Sequence, residues 1–272
     1  CYGSDAAPDA AIAACTSLIA ADAAKPSDQA KNFANRAFAH RLKGQTGSAL
    51  ADANRAIALR PDYDFAYNLR GTVHADMGLN DRAIADFSRA ISIKPDYADA
   101  FFNRGNRFRD MGLLEKAVMD YARAIALEPR HANALVNRGI AYRDLGLADE
   151  AVADFAKAIA IAPDDAKPWF NRGKIQVAAG RFDSAIADFN RAIALNPEHA
   201  GAYLGRGQAY AGKGMGDPAI ADFTKTILLE PANAGAWLGR AEVYRKQGQF
   251  DRAEADVSHV IELTPDDAAS YR

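Results

Sequence analysis

The sequence has few of the residues on which enzyme and metal sites depend. It contains five histidines and two cysteines, Cys1 and Cys15, in 272 residues. The histidines are scattered and match no metal-ligand spacing. No Ser-His-Asp or Cys-His arrangement is arguable either. We therefore expect no metal, no cofactor and no enzymatic activity.

Long apolar runs and an excess of one charge are also missing. No apolar stretch approaches the roughly 18 residues of a membrane-spanning helix, so no membrane insertion is expected. The 33 basic and 35 acidic residues are mixed along the chain and leave a net charge of −2, which does not favour nucleic acid as a partner. The apolar residues are mostly alanines at helical spacing, and this pattern predicts an all-α protein.

What the sequence does have is a period of 34 residues. Proline, glycine and alanine each recur seven times at this interval, and internal repeats of this length indicate stacked helical units. The prolines are Pro61, Pro95, Pro129, Pro163, Pro197, Pro231 and Pro265; the glycines are Gly44, Gly78, Gly112, Gly146, Gly180, Gly214 and Gly248.

Two helices fit each period when positions are counted from Ala30. Helix A covers positions 1 to 14 and ends at the glycine of position 15, whereas the proline of position 32 ends helix B. The aspartates at position 18 are predicted N-caps of helix B: Asp81, Asp149, Asp183, Asp217 and Asp251. The predicted repeats are 30–63, 64–97, 98–131, 132–165, 166–199, 200–233 and 234–267.

Small and large residues alternate at fixed repeat positions. Position 8 is Gly or Ala, position 20 is Ala, and position 24 is aromatic in five repeats. With alanine at position 27 and proline at position 32, this pattern resembles the tetratricopeptide repeat family. The resemblance implies an α-solenoid of stacked antiparallel helix pairs, wound into a right-handed superhelix whose inner surface is lined by the A helices.

The two ends depart from the repeat. Residues 1–29 are interpreted as a degenerate N-terminal half-repeat, and residues 268–272 as the start of a truncated C-terminal helix. A Cys1–Cys15 disulfide is predicted, because both cysteines lie across one predicted turn and the pattern resembles exported bacterial tetratricopeptide proteins that begin with a Cys pair. The alternatives are two unpaired thiols or a lipid-modified Cys1.

Asparagine recurs at position 6, on the face of helix A that lines the groove in this family. Asn35, Asn103, Asn137 and Asn171 occupy this position, while Leu69, Gly205 and Gly239 interrupt the row. Asparagine offers both donors and an acceptor, so such a row can hold an extended peptide backbone. The row resembles the asparagine ladder of O-linked GlcNAc transferase. The alternative is that these asparagines are ordinary helix-surface residues.

Other A-helix residues flank this row and would form side-chain pockets. Phe102 and Phe170 are predicted anchors, with packing between adjacent A helices as the alternative. The polar residues predicted beside them are Asn106, Arg109, Arg143, Lys167 and Lys174.

Arginine occupies position 7 and aspartate position 23 in every repeat. Position 7 faces the neighbouring repeat, and position 23 borders the apolar stripe of helix B. We therefore expect internal ion pairs that fix repeat geometry rather than a charged binding surface. The predicted members include Arg70, Arg104, Arg138, Arg172 and Arg206, with Asp86, Asp120, Asp154, Asp188 and Asp222.

These observations predict a scaffold that binds a protein or extended peptide in its groove. The alternative is a structural solenoid that self-associates through its C-terminal end without a groove ligand. The Cys pair and the family resemblance favour a periplasmic or exported protein, with the cytoplasm as the alternative.

Overall fold

The computed structural model describes residues 7–21 and 25–263, which form fifteen α-helices and no strand. The helices are α1 Pro8–Ala20, α2 Pro26–Leu42, α3 Thr46–Leu59, α4 Asp64–Asp76, α5 Asn80–Ile93, α6 Ala98–Asp110, α7 Leu114–Leu127, α8 Ala132–Asp144, α9 Ala148–Ile161, α10 Ala166–Ala178, α11 Phe182–Leu195, α12 Ala200–Gly212, α13 Gly216–Leu229, α14 Ala234–Lys246 and α15 Phe250–Leu263. From α2 onward, even-numbered helices are the A helices and odd-numbered helices the B helices.

The turn between helices A and B depends on one glycine in each repeat. The glycines of position 15 all have positive φ, from 69° at Gly44 to 79° at Gly146. This left-handed conformation strains any residue with a Cβ, which explains glycine at this position. The proline of position 32 follows each B helix by two residues, as at Leu59 and Pro61.

The predicted aspartate caps of the B helices are wrong by two positions. In α5, α9, α11 and α13 the cap residue is at position 16 and makes no side-chain cap hydrogen bond. The aspartates of position 18 lie within the first helical turn, as Asp81 does in α5. There a carboxylate stabilises the helix through its dipole rather than by capping a backbone N–H group.

In four repeats the core is an aromatic ring of helix B placed against a glycine of helix A. A Cβ added to Gly71 would lie 2.7 Å from the ring of Phe87, and one added to Gly105 would lie 2.9 Å from Tyr121. Both rings are fully buried. Glycine at position 8 therefore lets the aromatic ring of position 24 pack directly on the A-helix backbone.

The chain divides into two compact parts, residues 1–141 and 142–272. Within each part, consecutive helices pack on one another, as α2 does on α3 and α12 does on α13. Successive A helices also touch, as α2 does with α4 and α10 does with α12. This arrangement is the predicted all-α solenoid of helix pairs.

The N-terminal helix α1 packs against α2, and Cys15 within it is fully buried. Helix α2 begins at Pro26, four residues before the predicted start of the first repeat. Cys1 and residues 268–272 lie outside the described residues, so the predicted disulfide and C-terminal helix stay predictions.

Candidate functional site

The arginines of position 7 pair with the aspartates of position 23 in the same repeat. The pairs join helix A to helix B through two-pronged hydrogen bonds, with the aspartate carboxylates nearly buried. Their shortest N–O distances are 2.7 Å for Arg36–Asp52, 2.6 Å for Arg70–Asp86, 2.7 Å for Arg104–Asp120, 2.7 Å for Arg172–Asp188, 2.7 Å for Arg206–Asp222 and 2.8 Å for Arg240–Asp256.

These arginines are structural, as their geometry and electrostatics show. The hydrogen bonds to Asp188 raise the pKa of Arg172 above its ordinary value, and Asp222 does the same for Arg206. Each guanidinium also covers the aromatic ring at position 4, as Arg240 does at 4.9 Å from the Trp237 ring centre. The predicted pair Arg138–Asp154 has its members in different parts of the chain and stays a prediction.

Sequence reasoning missed a second partner of these arginines. The remaining guanidinium nitrogen donates to a polar side chain on the preceding B helix, at position 25. The bonds are Arg70 to Asn54 at 2.8 Å, Arg104 to Ser88 at 2.9 Å, Arg206 to Asn190 at 2.6 Å and Arg240 to Thr224 at 2.9 Å. Each arginine thus ties its own helix pair to the preceding repeat. Ala156 occupies this position before Arg172 and has no acceptor to offer.

The asparagines of position 6 bond to polar neighbours on their own groove face. Asn103 Nδ2 donates to Asn68 Oδ1 at 3.1 Å, and Asn68 Nδ2 donates to the Tyr97 hydroxyl at 3.2 Å. Asn137 Nδ2 donates to Asn106 Oδ1 at 2.8 Å. The asparagines therefore form short hydrogen-bonded chains between adjacent A helices, which fix the direction in which each amide points.

Asn171 differs from the other predicted groove asparagines. Its Nδ2 donates to the Lys167 carbonyl at 2.9 Å, and its Oδ1 accepts from Arg143 at 2.6 Å. The residue is only 8% exposed. Both ends of this amide are engaged inside the protein, so Asn171 does not present the free groups that the prediction requires.

Glycine at position 6 of the last two repeats has a packing reason. A Cβ on Gly239 would lie 2.7 Å from the Phe223 ring of the preceding repeat, and one on Gly205 would lie still closer to the Phe189 ring. Position 6 therefore stands directly over the position-24 ring of the preceding repeat. In the last two repeats this position is a packing site.

Asn103, at position 6 of the third repeat, borders an open cleft. This polar cleft of about 200 Å³ lies between α2, α4 and α6. Its lining residues include Arg41, Thr72, Asp76, Asn103, Asn106 and Arg107.

Several polar groups of this cleft are paired, whereas one amide oxygen and one amide nitrogen are not. Arg41 binds the Asp76 carboxylate through two nitrogens, at 2.6 and 3.2 Å. Asn106 Oδ1 accepts from the Tyr121 hydroxyl at 2.8 Å and from Asn137. Within the described residues, however, neither Asn103 Oδ1 nor Asn106 Nδ2 has a hydrogen-bond partner. The cleft therefore offers one acceptor and one donor, from residues three apart on α6.

The predicted aromatic anchors are half-buried and stacked. The Phe102 ring centre lies 4.7 Å from that of His131, and the Phe170 ring centre lies 4.5 Å from that of His199. Each also approaches a core aromatic ring, Tyr121 and Phe189 respectively, at about 6 Å. These contacts match the packing alternative more closely than free anchors.

The remaining predicted site residues are dispersed. Arg109 pairs with Asp110 at 3.3 Å, and Arg143 pairs with Asp144 at 2.7 Å. Lys167 and Lys174 are exposed on α10, and Asn35 is half-buried on α2. Asn35 and Arg109 belong to the first compact part of the chain, and the other three belong to the second.

Burial shifts the pKa values of two aromatic side chains near the groove face. Burial raises the pKa of Tyr121 to about 12, so its hydroxyl keeps the proton that it donates to Asn106. Burial also lowers the pKa of His199, which stays neutral against the Phe170 ring at neutral pH.

Metal-binding clusters and membrane-spanning helices are both absent from the described residues. Over these residues, no group of three or more His, Cys, Asp or Glu side chains is placed to hold a metal ion. No helix in the same part of the chain is long and apolar enough to cross a membrane.

Comparison with known families identifies the repeats. Three models described as tetratricopeptide repeat match residues 66–97, 130–198 and 213–272, and one described as TPR repeat matches residues 105–146. None of the curated proteins gives a significant match to the chain.

Many solved structures are similar. MamA is 27% identical over 61% of this chain and 96% of its own, with a TM-score of 0.57. YrrB, described as a TPR protein with an unusual peptide-binding site, is 20% identical over 68% of this chain and 95% of its own, with a TM-score of 0.61. The Cut9–Hcn1 assembly of the APC/C is 18% identical over 96% of this chain and 51% of its own, with a TM-score of 0.67. The last two similarities support the fold alone.

Proposed function

Because this chain carries tetratricopeptide repeats, a fold that suggests a protein-interaction scaffold, we propose that it binds an extended peptide segment of a partner protein. The proposed site is the polar cleft between α2, α4 and α6. The observation that carries the proposal is the unpaired Asn103 Oδ1 acceptor beside the unpaired Asn106 Nδ2 donor.

This donor–acceptor pair suits a peptide backbone. A peptide unit presents one N–H donor and one C=O acceptor, the complement of the two free amide groups. Hydrogen bonds within the protein hold both amides in place before a ligand arrives, which lowers the entropy cost of binding. The Arg41–Asp76 pair at the same cleft would contact polar side chains of the ligand.

The test is a selection of short random peptides on the intact chain, followed by affinity measurements on variants. Asn103→Ala removes the free acceptor, and we expect it to weaken a selected peptide about tenfold, the equivalent of one good hydrogen bond. The matched control is Asn133→Ala, since Asn133 is exposed on α8 and borders no part of this cleft.

Three outcomes are possible. A loss confined to Asn103→Ala supports the proposed groove. Equal affinities for both variants contradict it. A selection that yields no peptide contradicts the proposed function as a whole.

Self-association is the second candidate, and one exposed ring favours it. Phe182 at position 17 packs against Gly212 of the following A helix, whereas the equivalent Phe250 is 66% exposed on α15. A second copy would cover this ring. Light scattering tests the idea, since Phe250→Asp should convert any dimer to monomer, and a monomeric wild-type chain excludes it.

Export from the cytoplasm remains a proposal supported by the family resemblance and the cysteine pattern. Separating the cell compartments and probing each for the chain tests it.

A further inference from the structure

A second cavity lies in the C-terminal half, away from the asparagine cleft. It measures about 510 Å³ and lies where the end of α8 and the start of α9 face the end of α10. Its apolar walls include Ala148, Val152, Ile175, Ala178 and Ala179. The charged residues at its margin are Arg143, Lys174, Arg181 and Asp149.

A short side chain, Ala179 at position 14, borders the cavity where two later junctions carry a longer one. At the next junction, Lys213 at position 14 pairs with Asp183 at position 18 of the preceding repeat. At the junction after that, Gln247 Nε2 donates to Asp217 at 3.0 Å. The corresponding residue facing this cavity is Ala179, whose methyl group reaches no carboxylate.

With alanine at position 179, the cavity is not filled and most of the charged side chains around it lack ion-pair partners. Asp149, the equivalent of Asp183, has no hydrogen-bond or ion-pair partner within the described residues. The side-chain guanidinium of Arg181 also has no partner among these residues. The Lys174 ammonium lies 5.6 Å from the Phe170 ring centre and has no carboxylate partner in the described part of the chain. Arg143 is the basic residue here that is already paired, with Asp144.

The balance of charge favours an anionic group at the margin. Three basic side chains surround the cavity against the single Asp149 carboxylate, and two of the three are unpaired. An aliphatic or aromatic side chain would fill the apolar walls and remove their surface from water. Asp149 would accept a hydrogen bond from a backbone N–H group of the same ligand.

We propose that this cavity binds a peptide segment in which an aliphatic or aromatic side chain is followed or preceded by Asp or Glu. The apolar side chain enters between Val152 and Ile175, and the carboxylate pairs with Lys174 or Arg181. The inference rests on the proposed peptide-binding function but uses none of the residues of the asparagine cleft.

The experiment compares the peptides enriched from a random display library by the wild-type chain and by Ala179→Lys. The substitution copies Lys213, so its stem fills the cavity and its ammonium pairs with Asp149. We expect wild type to enrich apolar residues beside Asp or Glu, and Ala179→Lys to bind those peptides at least about tenfold more weakly. Ala153→Lys is the matched control, since it adds the same charge at an exposed position of α9.

The outcomes separate this inference from the proposed function. Enriched peptides that lose affinity with Ala179→Lys but not with Asn103→Ala support the second site. Peptides that depend on Asn103 and not on position 179 leave the proposed function standing and overturn this inference. Absence of acidic–apolar enrichment overturns it too, and absence of any enriched peptide overturns both.

Discussion

At the scale of single residues, small side chains decide where rings and ligands fit. Glycine at position 8 admits the aromatic ring of position 24 in its own repeat, and glycine at position 6 admits the position-24 ring of the preceding repeat. Ala179 leaves a cavity that Lys213 and Gln247 close at neighbouring junctions. The residue at one such position therefore determines whether an aromatic ring packs there, a polar pair forms or a cavity is left.

Gly71→Ala should destabilise the chain. Its new Cβ would lie 2.7 Å from the Phe87 ring, and overpacking of this kind costs about 1–3 kcal/mol. Gly47→Ala is the control, because a Cβ there meets nothing within 4 Å and α3 gains helix propensity worth up to about 1 kcal/mol. Urea unfolding measures both. If the two variants lost equal stability, the ring contact would not explain glycine at position 8.

Gln176→Met should stabilise the chain. Gln176 Oε1 is buried without a hydrogen-bond partner, and an unsatisfied acceptor costs about 1–3 kcal/mol. Methionine has a similar shape and no polar oxygen to bury. Thermal unfolding should show a higher midpoint, and a lower midpoint would indicate that the oxygen has a partner in solution.

Acid should weaken the packing around His199. Burial lowers its folded pKa below the unfolded value of about 6.5, so the unfolded chain binds more protons as the pH falls through 6.5. The free energy of unfolding should therefore decline from pH 7 to pH 5. His199→Tyr, which copies Tyr97 at the same repeat position, should reduce that decline. An unchanged pH profile would show that His199 is not its source.

At the scale of helices, the arginine of position 7 is the main polar link. It joins helix A to helix B through aspartate and reaches the preceding B helix through the residue at position 25. Polar pairs of this kind fix geometry more readily than they add net stability. Arg172 makes only the first of these links, because Ala156 offers no acceptor.

Ala156→Asn should restore the missing link. The new amide would take the repeat position of Asn190, whose oxygen accepts a hydrogen bond from Arg206 at 2.6 Å. The equivalent bond from Arg172 should contribute about 1.5–3 kcal/mol, because its donor is charged. Ala153→Asn is the control, since it carries the same loss of helix propensity at an exposed position of α9. Chemical unfolding should rank Ala156→Asn above Ala153→Asn, and the opposite order would mean that the bond does not form.

At the scale of the whole molecule, the repeat could be predicted in detail and the binding site only in part. The 34-residue spacing of Gly44 and Pro61 with their equivalents predicted the helix pairs, because glycine and proline have fixed backbone requirements. The Arg–Asp pairs followed from helical geometry. The position-25 links were missed because the residue type changes from repeat to repeat. Asn54, Ser88 and Thr224 each offer a side-chain oxygen, but they do not form a recognisable sequence pattern.

The asparagine row shows the limit of reasoning from the repeat alone. Asn103 and Asn171 occupy the same repeat position but have different partners. Arg143 donates to the side-chain oxygen of Asn171, whereas Asn103 bonds to Asn68 through its nitrogen only. The neighbour at the equivalent place before Asn103 is Ala75, which has no donor. A side chain from an adjacent repeat thus decides which asparagine stays available, and that contact requires coordinates.

The central claim is that Asn103 holds the backbone of a bound peptide. The most direct measurement takes one selected peptide, methylates its backbone nitrogens one at a time, and compares its affinity for the wild-type chain and for Asn103→Ala. The account predicts one nitrogen whose methylation weakens binding to wild type about tenfold and has no effect on binding to Asn103→Ala. Equal penalties at every nitrogen in both proteins would contradict it.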